Sequence, residues 1–439
     1  MSNSPFIALQ HRNFRLLWIG QLISMSGSMM QSAAILWHVS LLVAADQKAL
    51  ALGLVGLMRI VPIIIFSLIS GVVADVLDRR KLMLMTQAGL ALVAALLALV
   101  TFGGMPAVWP IYVLAALSSA VGSFDGPARQ SLFPNLVPRE HLPNAISLNT
   151  IMFQVASVAG PMLAGFTIAG LGVGWAYLIN AVSFVAVIVA LLLMRNVPSH
   201  ADGEKREISL RAAIDGLRFV FQAPLIRSTM LLDFFATFFS SAMALLPIFA
   251  QDILQVGAQG YGVLSAAPSV GAVLASVVMV RLVDRIDRRG QTLLWAVFGY
   301  GAATVAFGLS RNFWLTFACL ALTGATDTVS MVLRNIIRQL TTPDHLRGRM
   351  TSVNMIFFMG GPQLGELEAG LVANWLGAPI SVITGGVGCL LVTAWIALKT
   401  PALRAYRRDE RAFLAQDETD RTSGDAELLK AGQSPRALR

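Results

Sequence analysis

Along most of the chain, apolar runs of 19 to 29 residues alternate with short turns, and no other feature constrains the fold as tightly. A bilayer core about 30 Å thick is crossed by about 20 helical residues. Turns this short hold no domain between crossings, and a lipid-embedded backbone must satisfy its own hydrogen bonds, which helices do. The sharpest instance is residues 71–81, Gly-Val-Val-Ala-Asp-Val-Leu-Asp-Arg-Arg-Lys, a block of charge between two such runs. Composition agrees: 56% of residues are hydrophobic and 13% charged, with a mean hydropathy of +0.69. Soluble domains carry about 25% charged residues, so this is an integral membrane protein.

Twelve spans are expected, at 14–42, 50–74, 82–103, 107–128, 144–170 and 174–194, then 225–251, 258–280, 291–309, 313–334, 350–373 and 378–398. Lysine and arginine collect in cytoplasmic loops. With the amino terminus inside, only Lys48, Arg59 and Arg311 of the 33 basic residues fall elsewhere, which places both termini in the cytoplasm. The net charge of +9 is spread over these short loops facing lipid rather than gathered in a patch for nucleic acid. Five units follow: a cytoplasmic segment 1–13, a six-helix half 14–195, a linker 196–224, a second six-helix half 225–398, and a cytoplasmic, partly disordered tail 399–439. Within the linker, Leu210, Ala213, Ile214, Leu217 and Val220 recur at helical spacing, as on an amphipathic helix lying on the membrane.

The two halves repeat one another. Asp75, Arg79 and Arg80 recur as Asp284, Arg288 and Arg289 at an offset of 209 residues, with Val280 where the first copy has Gly71. At an offset of 205, Arg129, Pro138, Ser147, Asn149 and Gly165 match Arg334, Pro343, Ser352, Asn354 and Gly370. Two parallel six-helix repeats are the expected architecture.

Twelve spans, a charged central linker and a Gly-x-x-x-Asp-x-x-x-Arg-Arg block echoed in the second half resemble the major facilitator superfamily over residues 14–398. The segments Phe14-Arg15-Leu16-Leu17-Trp18, Pro127-Ala128-Arg129-Gln130 and Pro138-Arg139-Glu140-His141 resemble the branch that contains enterobactin and macrolide exporters. The resemblance implies that Asp75 caps a helix of the opposite half and that the arginines bridge to an acidic residue low on the fourth span, here Asp125 for Arg79. Such contacts latch the cytoplasmic side, with Gly71 as a close-packing position and Asp284, Arg288 and Arg289 as the weaker twin. Gly160-Pro161-Met162-Leu163-Ala164-Gly165 resembles the helix-bending motif of antiporter-type members and implies export.

Ionisable residues inside a span are costly and mark function. Arg59 in span 2 and Glu366 in span 11 lie at comparable depth and are expected to pair or to bind a charged substrate. Glu368, two residues on, points about 200° away and cannot share that partner. Asp233 in span 7 and Asp327 in span 10 are candidates for carrying a proton or contacting substrate.

Other classes find little support. No phosphate-binding Gly-x-x-x-x-Gly-Lys-Ser/Thr loop or His-Glu-x-x-His is present, and His11, His38, His141, His200 and His345 are scattered. No catalytic residue, metal site or cofactor is expected. Cys319 and Cys389 lie in apolar runs as small packing residues. The expectation is an all-α, twelve-span secondary transporter of the bacterial inner membrane. It acts as a monomer, exporting an amphipathic siderophore or drug in exchange for protons. An importer or facilitator is the alternative, and a membrane receptor a more distant one.

Overall fold

The computed structural model describes residues 6–195, 218, 220–342 and 346–408. Six membrane-length helices come first: α1 (Arg12–Leu42), α2 (Lys48–Val76), α3 (Arg79–Phe102), α4 (Trp109–Leu132), α5 (Leu142–Gly170) and α6 (Val173–Leu193). The seventh segment is broken. Its helix α7 (Pro224–Phe239) gives way to a 3-10 turn (Ala242–Leu245), a short helical stretch (Leu246–Ile248) and a π-helical turn (Phe249–Ile253). Then follow α8 (Gly257–Leu282), α9 (Arg289–Leu309), α10 (Phe313–Thr341), α11 (Arg347–Leu376), α12 (Ala378–Lys399) and a short α13 (Pro401–Ala405). Among the described residues, nine segments are long and apolar enough to cross a membrane by composition alone. The other three, α1, α4 and α11, are as long but more polar.

Local chemistry sets the ends. Asp78 caps α3, accepting from the Lys81 amide at 3.0 Å, and Asn312 caps α10 through the amides of Trp314 and Leu315. The α5–α6 and α11–α12 turns pass through Gly172 (φ +97°) and Gly377 (φ +87°), a conformation that side chains disfavour. These two glycines are themselves repeat mates, 205 residues apart.

Three features lie beyond the sequence reading. Segment 7 is interrupted at Ser240 and Ser241, because neighbouring glycines bring foreign backbone against its exposed carbonyls. A Cβ on Gly365 would meet the Phe238 carbonyl oxygen at 2.2 Å, and one on Gly385 the Phe239 carbonyl at 2.0 Å. Ser241 Oγ donates to the Pro362 carbonyl at 2.8 Å, tying the break to α11. Next, α10 runs seven residues past its expected end, so Arg338 lies buried in the bundle rather than in a loop, and Arg334, the last residue of the expected span, is buried well inside the helix. Finally, the first stretch of the tail is ordered: Leu403 and Tyr406 are buried against α7 and α9, and the Gly290 amide donates to the Tyr406 carbonyl at 3.1 Å. Most of the expected amphipathic linker helix lies outside the described residues.

Within the first half α1 packs on α5 and α6, α2 on α4, and α3 on α4 and α6. The second half mirrors this, with α7 on α11 and α12, α8 on α10, and α9 on α10 and α12. The halves meet chiefly through α2 on α11 and α5 on α8. Both described ends of the chain lie at one end of the bundle, here termed proximal; the α1–α2 and α7–α8 turns lie at the distal end.

Candidate functional site

The two contacts between the halves are repeats of each other in atomic detail. A Cβ on Gly370 would sit 2.7 Å from Gly53 Cα and 2.7 Å from the Ala49 carbonyl oxygen. On Gly165 it would sit 2.7 Å from Gly262 Cα and 2.6 Å from the Ala258 carbonyl. Gly370 and Gly165 are offset by 205 residues, and Gly262 and Ala258 follow Gly53 and Ala49 by 209. Small residues permit such backbone contact between membrane helices. Both crossings lie toward the distal end.

Polar contacts reinforce that end. Lys48 Nζ pairs with Asp252 at 3.0 Å and donates to Gln251 Oε1 at 3.2 Å, while Gln251 Nε2 donates to Ser40 Oγ at 2.7 Å. Tyr261, wholly buried, donates to the Ala33 carbonyl at 2.9 Å and packs on Trp37. Each of these contacts joins one half to the other, and the distal end is closed.

Just beneath it, Glu366 on α11 lies against Gly56 of α2, its Oε2 2.9 Å from where a Cβ on that glycine would be. Glu366 Oε2 is buried without a hydrogen-bond partner, as is Gln363 Oε1 one turn away. Arg59 is within electrostatic range of Glu366, Tyr261 and Tyr177. The expected direct pair is nonetheless not formed: among the described residues no ion pair joins Arg59 to Glu366, and Arg59 Nη2 makes one long bond to the Ser32 carbonyl at 3.4 Å. Close approach of α2 and α11 places the Glu366 side chain against Gly56. Glu368 is half-buried, with no ion pair to a described residue.

The second half holds a charged trio. Arg334 pairs with Asp233 at 2.9 Å, both side chains 2% exposed, and reaches Asp327 at 3.5 Å, whose side chain is 42% exposed. Arg338 donates to Asn335 Oδ1 at 2.6 Å and to Asn354. Asp233 and Asp327 are therefore brought together, through an arginine that hydropathy had placed at the very end of its span. Its repeat mate gave a signal: Arg129 donates to Gln21 on α1 at 3.2 Å, as Arg334 reaches Asp233 on α7, each anchoring the first helix of its half. Above the trio lies a cavity of about 130 Å³ at the break in segment 7, bordered by Ser240, Tyr300, Thr304, Thr323 and Asp327.

At the proximal end the charged loop is wired differently from expectation. Asp125 does not pair with Arg79; its Oδ1 accepts from Gln87 Nε2 at 2.8 Å and Thr86 Oγ1 at 3.1 Å on α3. Arg79 donates to the Ser131 carbonyl at 3.0 Å, and Arg80 to the Leu192 carbonyl at 3.3 Å. Cations at carboxyl ends of helices complement the helix dipole, and Asp125 lies about 9 Å before Ser131, away from the carboxyl end of α4. The side chain of Asp75 and the surroundings of Gly71 lie outside the described residues. In the second copy, the carbonyls of Asp284 and Asp287 accept from Arg408, Arg288 precedes the start of α9, and Arg289 is buried. The tail thus touches the second loop, whose Asp284, Asp287 and Arg288 stay exposed, and Val280 beside it is 80% exposed rather than tightly packed.

Gly160 of the bend motif packs on α1, where a Cβ would meet Ser26 O at 2.7 Å, and the Pro161 carbonyl lies against Gly262. The motif thus serves both the first half and its crossing to the second. Beside α5, His11 Nε2 and His141 Nδ1 lie 2.8 Å apart. Partial burial and then the His141 charge hold the His11 imidazole below its ordinary 6.5. Among the described residues, no cluster of three His, Cys, Asp or Glu is placed to hold a metal, and Cys319 and Cys389 are free thiols.

Known proteins carry the same plan. The enterobactin exporter EntS of Escherichia coli O1:K1 is 27% identical over 381 residues, covering 87% of this chain and 88% of that one. EntS of Shigella boydii serotype 18 matches to the same extent. Among solved structures, a bacterial homologue of the iron transporter ferroportin in its inward-facing state superposes with a TM-score of 0.67 at 17% identity, covering 90% of this chain and 99% of its own. A bacterial homologue of the human lysosomal transporter Spinster, inward-facing and unoccupied, gives 0.69 at 13% identity, covering 92% and 99%. These likenesses speak for the fold. A family model described as a transmembrane secretion effector matches residues 3–421, so the chain belongs to that family of the major facilitator superfamily, in the enterobactin-exporter branch: a multi-pass inner-membrane transporter and not an enzyme.

Proposed function

We propose that this transporter exports an amphipathic small molecule, a siderophore or drug, in exchange for protons, by rocking its two halves about the distal crossings. The observation that carries this is the closed distal end, where duplicated glycine contacts and polar pairs join the halves above the half-buried Arg59 and Glu366. Such contacts separate cleanly because each half keeps its own packing when they part. The distribution of basic residues makes the proximal end cytoplasmic, so the state described is closed to the outside. The 27% identity to the enterobactin exporter over most of both chains favours export and a siderophore-like cargo.

In this reading Gly71, Asp75, Arg79 and Arg80 latch the cytoplasmic side in the opposite state. Here the arginines rest on the ends of α4 and α6 within their own half. Asp125 and Arg129 brace that half internally, Arg334 holds Asp233, and Asp327 faces the cavity at the span-7 break as a contact for cargo. The protein works as a monomer.

Everted membrane vesicles containing the protein, acidified inside, test the reading with enterobactin and a macrolide as probes. Uptake that collapses with the pH gradient is expected. Uptake seen only in right-side-out vesicles would establish an importer instead.

A further inference from the structure

We infer that Glu366 is the proton-carrying group of this transporter and that it must be neutral for the distal end to close. This rests on the proton-coupled reading above but predicts a response that needs no cargo.

Glu366 sits in the moving contact itself. Its carbonyl lies 3.0 Å, and its Cβ 2.8 Å, from the positions that Cβ atoms on Gly53 and Gly56 would occupy, so α2 shields it when the halves meet. In the closed arrangement Oε2 is buried and meets no hydrogen-bond donor among the described residues. The groups facing it are Arg59 from α2, which forms no ion pair with it, and the phenol of Tyr261 from α8, already donated to Ala33. Of the other neighbours of α11, α7 carries Asp233, engaged by Arg334, and α12 carries Cys389, whose thiol faces the Val297 carbonyl of α9. Glu368 on the same helix carries like charge. Glu366 as a whole is half-buried, and an ionised carboxylate with one oxygen covered by the opposite half and left unpaired is costlier than a neutral one.

Asp233 and Asp327 differ on this point. Asp233 keeps its arginine within one half, and Asp327 remains partly exposed beside the same arginine, so neither is desolvated by the meeting of the halves. Glu366 alone of the three is covered by the opposite half. In the cycle, an open distal end lets Glu366 take a proton from the outside. Closure then covers the neutral acid, and loss of that proton toward the cytoplasmic side leaves a covered charge that drives the distal contacts apart again.

The test uses the full chain in lipid nanodiscs, with Cys319→Ala and Cys389→Ala, and spin labels on Met105→Cys and Arg311→Cys. Both positions are exposed in distal turns of opposite halves. Inter-label distances by pulsed electron resonance should be short in acid and gain a longer, open population in alkali. In Glu366→Gln the alkaline open population should fall on the order of tenfold and the short distance persist throughout. Glu366→Asp and Glu368→Gln should both keep the pH response. A wild type without pH response, or a Glu366→Gln variant that responds as wild type does, overturns the inference. A responsive wild type that moves neither probe against a pH gradient would sink the transport reading and leave the role of Glu366 standing.

Discussion

Replacing Gly370 by valine should hold the distal end open. At this crossing the obstacles to a new Cβ are backbone atoms, Gly53 Cα and the Ala49 carbonyl oxygen, each 2.7 Å away. Carbon atoms rest at about 3.5 to 4.0 Å, so α2 and α11 must separate by about 1 Å, and no side chain can rotate to relieve the clash. Overpacking of this kind costs about 1–3 kcal/mol. Because the clash exists only when the halves meet, that cost falls on the closed state alone and lowers its population about 5- to 150-fold relative to the open one. A single cysteine at Ser32, next to Arg59 below the crossing, reports the change when cells carrying the variant in a Cys319→Ala, Cys389→Ala background meet a membrane-impermeant maleimide. Labelling from outside should accelerate in Gly370→Val, less so in Gly370→Ala, and also in the repeat mate Gly165→Val. Gly360→Ala on the same helix, where a Cβ meets nothing within 4 Å, should leave the rate unchanged. Equal rates in Gly370→Val and the parent, at equal expression, would refute the assignment of these glycines to the closure.

Asp233→Ala leaves the buried Arg334 with only its longer contact to the partly exposed Asp327, which should cost up to about 3–5 kcal/mol and show as a lower melting temperature in detergent. The double change Asp233→Leu with Arg334→Met should recover most of it, and an unaltered melt in the single variant would show that the pair is not buried as described. Lys48→Ala should shift the open–closed balance by less than about fivefold, since pairs with an exposed partner such as Asp252 contribute about 0–1 kcal/mol; a larger shift in labelling at Ser32 would contradict this. His11 contributes to pH dependence in a stated direction. Its folded value lies below 6.5, so its contribution to stability is present above that pH and is lost as pH falls through the folded value. Melting curves of the wild type should drop in acid more steeply than those of His11→Gln, and parallel curves would exclude the contact with His141.

How much of this was legible beforehand varies with the kind of statement. Hydropathy found all twelve segments because crossing a bilayer fixes length and polarity locally, residue by residue. The offsets of 205 and 209 residues already contained the duplicated crossing, since Gly165 and Gly370 were visible as mates. Their partners Gly53 and Gly262 were not, because no local pattern says which helix a glycine will touch. The break in segment 7 escaped notice for the same reason: its cause lies in Gly365 and Gly385, more than a hundred residues downstream.

Charge pairing shows the boundary most plainly. Asp125, Asp233, Arg59 and Glu366 stood out from the sequence alone, because an ionisable group among apolar residues is conspicuous at any register. Their partners turn on the rotation of each helix about its axis and on the end of α10, which decides whether Arg334 lies at a helix end or in the core. Asp125 turned to Gln87 rather than Arg79, and Asp233 found Arg334. The sequence by itself determined a twelve-span, duplicated membrane protein with its basic residues gathered on one side. Only the tertiary structure decided which carboxylate is neutralised within its own half and which is left bare where the halves meet, because that distinction depends on contacts between helices that polarity along the chain does not encode.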